Sequence, residues 1–333
     1  MKAYNLYGVN DLRYEDLAKP VCPPGWAVVK VKAAGICSSD IPRIYTKGTY
    51  HFPTIPGHEF SGIVDSVGDE KDSGLIGKHV GIFPLIPCRE CLQCKQKHYE
   101  MCSNYDYIGS RRDGAFAEFV AAPIWNLILL DNKIPFTSAA MLEPLSVALH
   151  AMKLGGFTGG EHVGIIGTGM IGISAGLWAK KMGTADVTII GRGDEKKALV
   201  EKCGLRYSTV NSIEYDFVLE AVGTPQSICQ AIYMSKPGGT IVLMGNPSGD
   251  ILLPQDAYWR ILRKQLVIKG TWNSSFDGTN KSDWTEAVDA LSNDEIDVRP
   301  LVTHCFSQED LFEGLELMRL KKESYCKIIT KWN

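Results

Sequence analysis

No stretch of this 333-residue chain approaches the roughly 18 consecutive apolar residues that a membrane-spanning helix needs. Its start, MKAYNLYGVNDLRYEDL, also lacks the basic and apolar regions of a secretory signal. A cytoplasmic protein with no membrane partner is the expectation. Charge of one sign is not in excess either: 35 Lys and Arg against 38 Asp and Glu leave a formal −3, which argues against a nucleic-acid surface or a basic arm and favours a small-molecule partner. Internal repeats and low-complexity stretches are missing, which sets aside solenoids and linker proteins. Cysteine, by contrast, is plentiful at ten residues, and in a chain of this expected location a tight cluster of thiols points to metal rather than to disulfides.

The length favours two lobes of roughly 100 to 200 residues. The first carries short β-like runs, AVVKVKAAGI, FSGIVDSVG, HVGIF and AEFVAA, broken by glycine and proline, so that chemistry hung on it would sit in loops. From about residue 160 the texture becomes strand, glycine turn, helix, which predicts a parallel sheet wrapped by crossover helices. After Trp272 a polar segment, helices near 282–292 and 308–320 and a last strand CKIIT are expected, as a tail returning to the first lobe. The expected boundaries are 1–152, 153–271 and 272–333.

HVGIIGTGMIG sets Gly167, Gly169 and Gly172 in G-x-G-x-x-G register after a buried strand and at the start of a helix that includes Met170 and Ile171. Such a turn lets the backbone approach a pyrophosphate, with helix amides as donors. About 20 residues on, an NAD site would place Asp or Glu at the end of the second strand. Here DVTII runs into Gly191-Arg192-Gly193, and Arg192 could grip a 2′-phosphate, which favours NADP(H) over NAD(H). The alternative is a solvated Arg192, or one stacked on adenine, with Asp194 holding the ribose.

Cys88, Cys91, Cys94 and Cys102 crowd four thiols into a short polar segment, a pattern that fits a closed, structural zinc site. Disulfides and an iron–sulfur cluster are the alternatives, disfavoured by the expected compartment and by the spacing. An open, catalytic zinc site needs three protein ligands and a vacant position. Its candidates are Cys37 in GICSSD, His58 and Glu59 in PGHEFSG, and Glu143 in LEPLSVALH. Taken singly, each is as readily a buried thiol, a loop histidine or a carboxylate at a helix start.

GICSSD, GHEFSG, the four-cysteine segment, LEPLSVALH and GTGMIG, in this order, resemble the zinc-containing medium-chain dehydrogenase/reductase family along essentially the whole chain. The resemblance implies a GroES-like, mostly-β catalytic domain with a Rossmann doubly wound parallel-sheet domain, and a homodimer or homotetramer joined through the edge strand in LVIKGTW. It implies two Zn2+ per chain, the catalytic one held by Cys37, His58 and Glu143 with Glu59 as a neighbour or exchangeable ligand. Glutamate in the third ligand place looks like the sorbitol dehydrogenase branch. SSDIPRIYTKGTYHFPTIPGHEFSG and YDYIGSRRDGAFAEF resemble the galactitol-1-phosphate dehydrogenases, so the implied substrate is a polyol or polyol phosphate. Pro42 stands near the place of a relay histidine in other branches, which makes Ser39, then Glu59, the candidate proton carriers. Arg43, Lys47, Arg111 and Arg112 are the candidate partners of a substrate phosphate. A redox-inactive dinucleotide-binding relative would keep the glycine turn and lose the ligands; this chain has both.

Overall fold

The computed structural model describes residues 1–210, 213–279 and 281–333. The chain forms two compact units. One contains Met1–Glu143, Ser275–Asp294 and Val302–Asn333; the other contains Pro144–Ser274 and Glu295–Leu301.

The first unit is built on a seven-stranded sheet. Its path runs Val302–Ser307, Lys327–Lys331, Trp26–Ile36, Glu59–Val67, His79–Ile82, Leu127–Leu129, and Phe119–Pro123 pairs with Trp26–Ile36 off that path. Valine and alanine dominate the long strand WAVVKVKAAGI, where β-branched side chains suit the pleated surface. Val29, Val31, Val64, Phe60, Ile82 and Phe116 are among the residues it buries in one continuous core. The last strand lies antiparallel to Trp26–Ile36, with Ile328 opposite Ile36 and Ile329 opposite Gly35. Thus the C-terminal segment completes the sheet that the N-terminal segment begins. Its helices Asp283–Ser292 and Leu311–Leu320 agree closely with the helices expected from the sequence. The first opens with a capping box in which Ser282 and Thr285 satisfy each other's backbone N–H groups.

The second unit holds a six-stranded, wholly parallel sheet. In chain order the strands are His162–Ile166, Asp186–Ile190, Arg206–Ser208, Tyr215–Glu220, Ser235–Leu243 and Val267–Gly270; in space they lie 3-2-1-4-5-6, the Rossmann order. The helix Met170–Lys181 packs on the sheet through small residues. A Cβ on Gly176 would come within 2.8 Å of Leu205 Cδ1 and 3.0 Å of Ile189 Cδ1, so a larger residue there would have to displace the ends of these two side chains. Trp178 is fully buried, and its indole N–H donates to the Leu145 carbonyl at 3.0 Å. Among the described residues no helix is long and apolar enough to cross a membrane.

Candidate metal and dinucleotide sites

Cys37 follows directly on the strand Trp26–Ile36, while His58 immediately precedes and Glu59 opens the neighbouring strand Glu59–Val67. Because Gly35 is paired with Glu59 in the ladder, the two segments deliver their side chains to one place. Ligand atoms of Cys37, His58 and Glu59 lie within 4.8 Å of one another. His58 and Glu59 are buried, at 5% and 2% exposure.

The surroundings of this cluster are charged and dry. Asp40, fully buried, accepts from the Cys37 backbone N–H at 2.9 Å and from Arg43 at 2.6 Å, and its Oδ1 lies 3.6 Å from His58 Nδ1. Burial alone would raise its pKa, but His58 and Arg43 outweigh burial and hold it below the usual value. A carboxylate facing Nδ1 favours the tautomer that leaves Nε2 with its lone pair, the arrangement a metal-binding histidine needs. Glu59 forms an ion pair with Lys327 of the last strand, whose ammonium also donates to the Ile36 carbonyl at 3.1 Å. Burial works against the Lys327 charge, yet Glu59 and Cys37 outweigh it and raise the pKa. Gly35 leaves room for this ion pair: a Cβ there would stand 2.5 Å from Glu59 Oε2 and 3.0 Å from Lys327 Cε.

Glu143, near the start of the helix Leu142–Lys153, lies beside the same groups without belonging to the tight trio. Its Oε1 accepts from the Tyr107 hydroxyl at 3.2 Å. Burial, with Glu59 adding and His58 opposing, raises its pKa to about 7. Cys37, His58, Glu59 and Glu143 thus bring a sulfur, an imidazole and two carboxyl groups to one buried place, with Asp40, Arg43 and Lys327 packed around them. Sulfur, imidazole and carboxylate donors gathered in this way suit zinc. Ser39 donates to the Cys37 sulfur at 3.3 Å.

The other cluster joins Cys88, Cys91, Cys94 and Cys102. Its sulfurs are free thiols, 3.9 Å apart for Cys88 and Cys94 and 4.0 Å for Cys91 and Cys102. A disulfide requires about 2.05 Å. The edge of a tetrahedron around zinc, with Zn–S near 2.3 Å, is about 3.8 Å. Arg89 and Lys97 adopt left-handed backbone within this segment. Backbone N–H groups of Cys91 and Cys102's neighbour Cys88 point at sulfur, at 3.5 and 3.3 Å.

In the second unit, Gly167 has φ +126°, a conformation that disfavours other residues, and a Cβ on Gly172 would collide with the Gly167 carbonyl oxygen. Gly169 is the N-cap of the helix Met170–Lys181, no side chain caps it, and the space beside its Cα is open. The first amides of that helix, at Met170 and Ile171, are therefore available to an anion, as the pyrophosphate of a dinucleotide requires. Arg192 is exposed in the loop after the second strand.

The candidate phosphate partners are distributed unevenly. Arg43 is engaged by Asp40. Arg111 lies 4.3 Å from the ring centres of both Tyr50 and Tyr105 and donates to the Tyr105 carbonyl, while Arg112 pairs with Asp106. Both line a cavity of about 490 Å³ together with Trp26, His51, Ile55 and Asp106, and none of the candidate metal ligands lines it. Lys47 is exposed. Sequence reasoning missed Asp40, Tyr107 and Lys327. Asp40 stands in the same GICSSD as Cys37, and Lys327 announces itself only as the first residue of a short strand with a lysine at either end.

Residues 23–132 match the family described as Alcohol dehydrogenase GroES-like domain, and residues 171–293 match that described as Zinc-binding dehydrogenase. The chain is 34% identical over 302 residues to galactitol 1-phosphate 5-dehydrogenase of Escherichia coli K12, covering 86% of this chain and 87% of that one. It is 30% identical over 311 residues to L-threonine 3-dehydrogenase of Bacillus subtilis, covering 88% and 87%. Among solved structures, galactitol-1-phosphate dehydrogenase from Escherichia coli superposes with a TM-score of 0.90 at 30% identity, over 99% of this chain and 100% of that one. A zinc-binding dehydrogenase from Sinorhizobium meliloti bound to NADP gives 0.90 at 26%, over 99% and 98%. A short chain alcohol dehydrogenase from Escherichia coli CFT073 complexed with NADH gives 0.89 at 25%, over 100% and 99%.

Proposed function

From the premise that this chain belongs to the zinc-binding alcohol dehydrogenases of the medium-chain family, we propose that it is a cytoplasmic dehydrogenase of a polyol phosphate, transferring hydride between a secondary alcohol carbon and NADP(H). The observation that carries this reading is the buried cluster of sulfur, imidazole and carboxylate donors around Cys37 and His58. Zinc there supplies Lewis acidity to a substrate hydroxyl, and the dinucleotide supplies the hydride acceptor.

Cys37 and His58 would hold the catalytic metal with a carboxylate, Glu143 serving as the resident third ligand and Glu59 as the exchangeable one. Asp40 orients the imidazole through Nδ1, and Lys327 fixes the direction of the Glu59 carboxylate. Ser39 Oγ, whose hydroxyl donates to the Cys37 sulfur at 3.3 Å, would relay the substrate's hydroxyl proton by accepting it while releasing its own to water. Pro42 has no group that could assist. The four cysteines hold the structural zinc. Of the four basic candidates for the substrate phosphate, Lys47 and Arg112 are exposed; Arg43, Arg111 and Arg112 keep their present partners or exchange them for phosphate.

Gly167, Gly169 and Gly172 seat the pyrophosphate, and Arg192 reads the 2′-phosphate. Replacing Arg192 by Ala should weaken NADP+ binding far more than NAD+ binding, and an equal effect on both would return the assignment to NAD. The edge strand Val267–Gly270 is exposed at every residue, which makes it the place for a second copy to add its own strand. The decisive experiment compares initial rates with hexitol 1-phosphates and free hexitols, each with NAD+ and NADP+. A kcat/KM advantage of about a hundredfold for the ester, near 2.7 kcal/mol, supports the phosphate reading. Equal or better turnover of the free polyol, or of threonine, refutes it.

A further inference from the structure

In dinucleotide-binding folds an acidic side chain at the end of the second strand reads the adenosine ribose. Here that strand ends at Ile190 and is followed by Gly191. The backbone of Gly191 is not left-handed, so its dihedrals do not forbid a side chain; the space around it does. A Cβ on Gly191 would fall inside contact distance of the Tyr207 hydroxyl oxygen and lie 2.7 and 2.8 Å from two of its ring carbons. Tyr207 belongs to the adjoining strand Arg206–Ser208, where it pairs with Ile189, and the Gly191 N–H donates to the Ser208 carbonyl at 3.0 Å. The ring is thus held in register against the end of the second strand. Its hydroxyl donates to the Gly193 carbonyl and ties down the loop that carries Arg192.

We infer that Tyr207 is a specificity-determining residue for the dinucleotide: its ring fills the seat from which a carboxylate at position 191 would bind an unesterified ribose, and its hydroxyl braces the loop that presents Arg192. The inference rests on the dinucleotide reading of the glycine turn. It goes beyond the choice of Arg192, because it makes the missing carboxylate a consequence of a neighbouring strand. While the tyrosine ring stands there, a carboxylate placed at position 191 by a single substitution meets that ring where it would reach for the ribose.

The test is calorimetric binding of NAD+ and NADP+ to zinc-loaded Gly191→Asp, Gly191→Asp/Tyr207→Ala and Gly191→Asp/Tyr207→Phe proteins, without substrate. The expected result is that Gly191→Asp gains no NAD+ affinity, that adding Tyr207→Ala raises NAD+ affinity at least tenfold over the single variant, and that adding Tyr207→Phe, which keeps the ring, does not. A Gly191→Asp variant that binds NAD+ as well as the Tyr207→Ala double variant overturns the inference. If the aspartate variants do not fold, Gly191→Ala is melted in the Tyr207 and Tyr207→Ala backgrounds: a larger loss of Tm with the tyrosine present supports steric exclusion, and equal losses overturn it. Should the unaltered protein prefer NAD+, the NADP reading falls, and the comparison between single and double variants still decides the role of Tyr207.

Discussion

Replacing Lys327 by methionine removes the cation from a pair whose side chains are 4% and 2% exposed, and leaves the Glu59 carboxylate buried without it. The methionine keeps most of the apolar volume, so the change isolates the charge. Breaking one side of a buried ion pair costs about 3–5 kcal/mol, because the remaining charge keeps its desolvation penalty and loses its compensation. The Ile36 carbonyl loses its donor as well. For a unit of this size each kcal/mol moves Tm by about 2–4 °C, which gives a fall on the order of 10 °C for the transition of the first unit. The assay is a thermal melt of zinc-loaded protein followed by circular dichroism, with zinc content measured on the same samples. Glu59→Gln should be destabilising on its own, and the double variant should lose about 0.5–3 kcal/mol less than the sum, since no uncompensated charge then remains. A fall below about 2 °C for Lys327→Met, with additive double-variant behaviour, would refute the view that this pair secures the return of the last strand.

Glu143→Ala should release one zinc per chain and abolish turnover while the four-cysteine segment keeps its metal; full activity with two zinc ions retained would sink the ligand assignment. Cys94→Ser should release the other zinc, since a closed site has no spare donor, and zinc analysis showing two ions per chain would refute this. Asp216, on the fourth strand of the parallel sheet, ties it to the first by accepting from the His162 N–H at 2.8 Å and to the fifth by accepting from Lys236 at 2.9 Å. Burial pushes its pKa up, but these donors outweigh burial and lower it. The stabilisation is then complete above the ordinary carboxylate pKa of about 4 and is lost as pH falls through the lower folded value. The Tm difference between the unaltered protein and Asp216→Asn should accordingly be largest near neutrality and shrink below about pH 4. A difference that stays constant down to pH 3 would show that ionisation of Asp216 is not involved.

Much of this protein was legible in its sequence wherever the physical constraint is local. Gly167, Gly169 and Gly172 announce a tight turn and an uncapped helix start because dihedral freedom and close packing act over a few residues. The four cysteines fall within one short segment for a similar reason: a closed tetrahedron can be assembled from neighbouring turns. The alternation of strand and helix after residue 160 specified the parallel sheet. Cys37, His58, Glu59 and Glu143 were visible as residues, but spacing along the chain could not say that Cys37, His58 and Glu59 form the tight trio while Glu143 stands beside it. That distinction depends on the ladder between Gly35 and Glu59. Lys327 lies far along the chain from Glu59, and only the antiparallel pairing of the last strand with Trp26–Ile36 brings it to the carboxylate. In the same way Gly191 looked like a simple absence until the neighbouring strand placed Tyr207 against it. Turn shape and ligand type are decided by the bonds and volumes of adjacent residues, whereas burial, charge compensation and excluded space depend on which distant strands lie side by side, and that is decided only when the sheet forms.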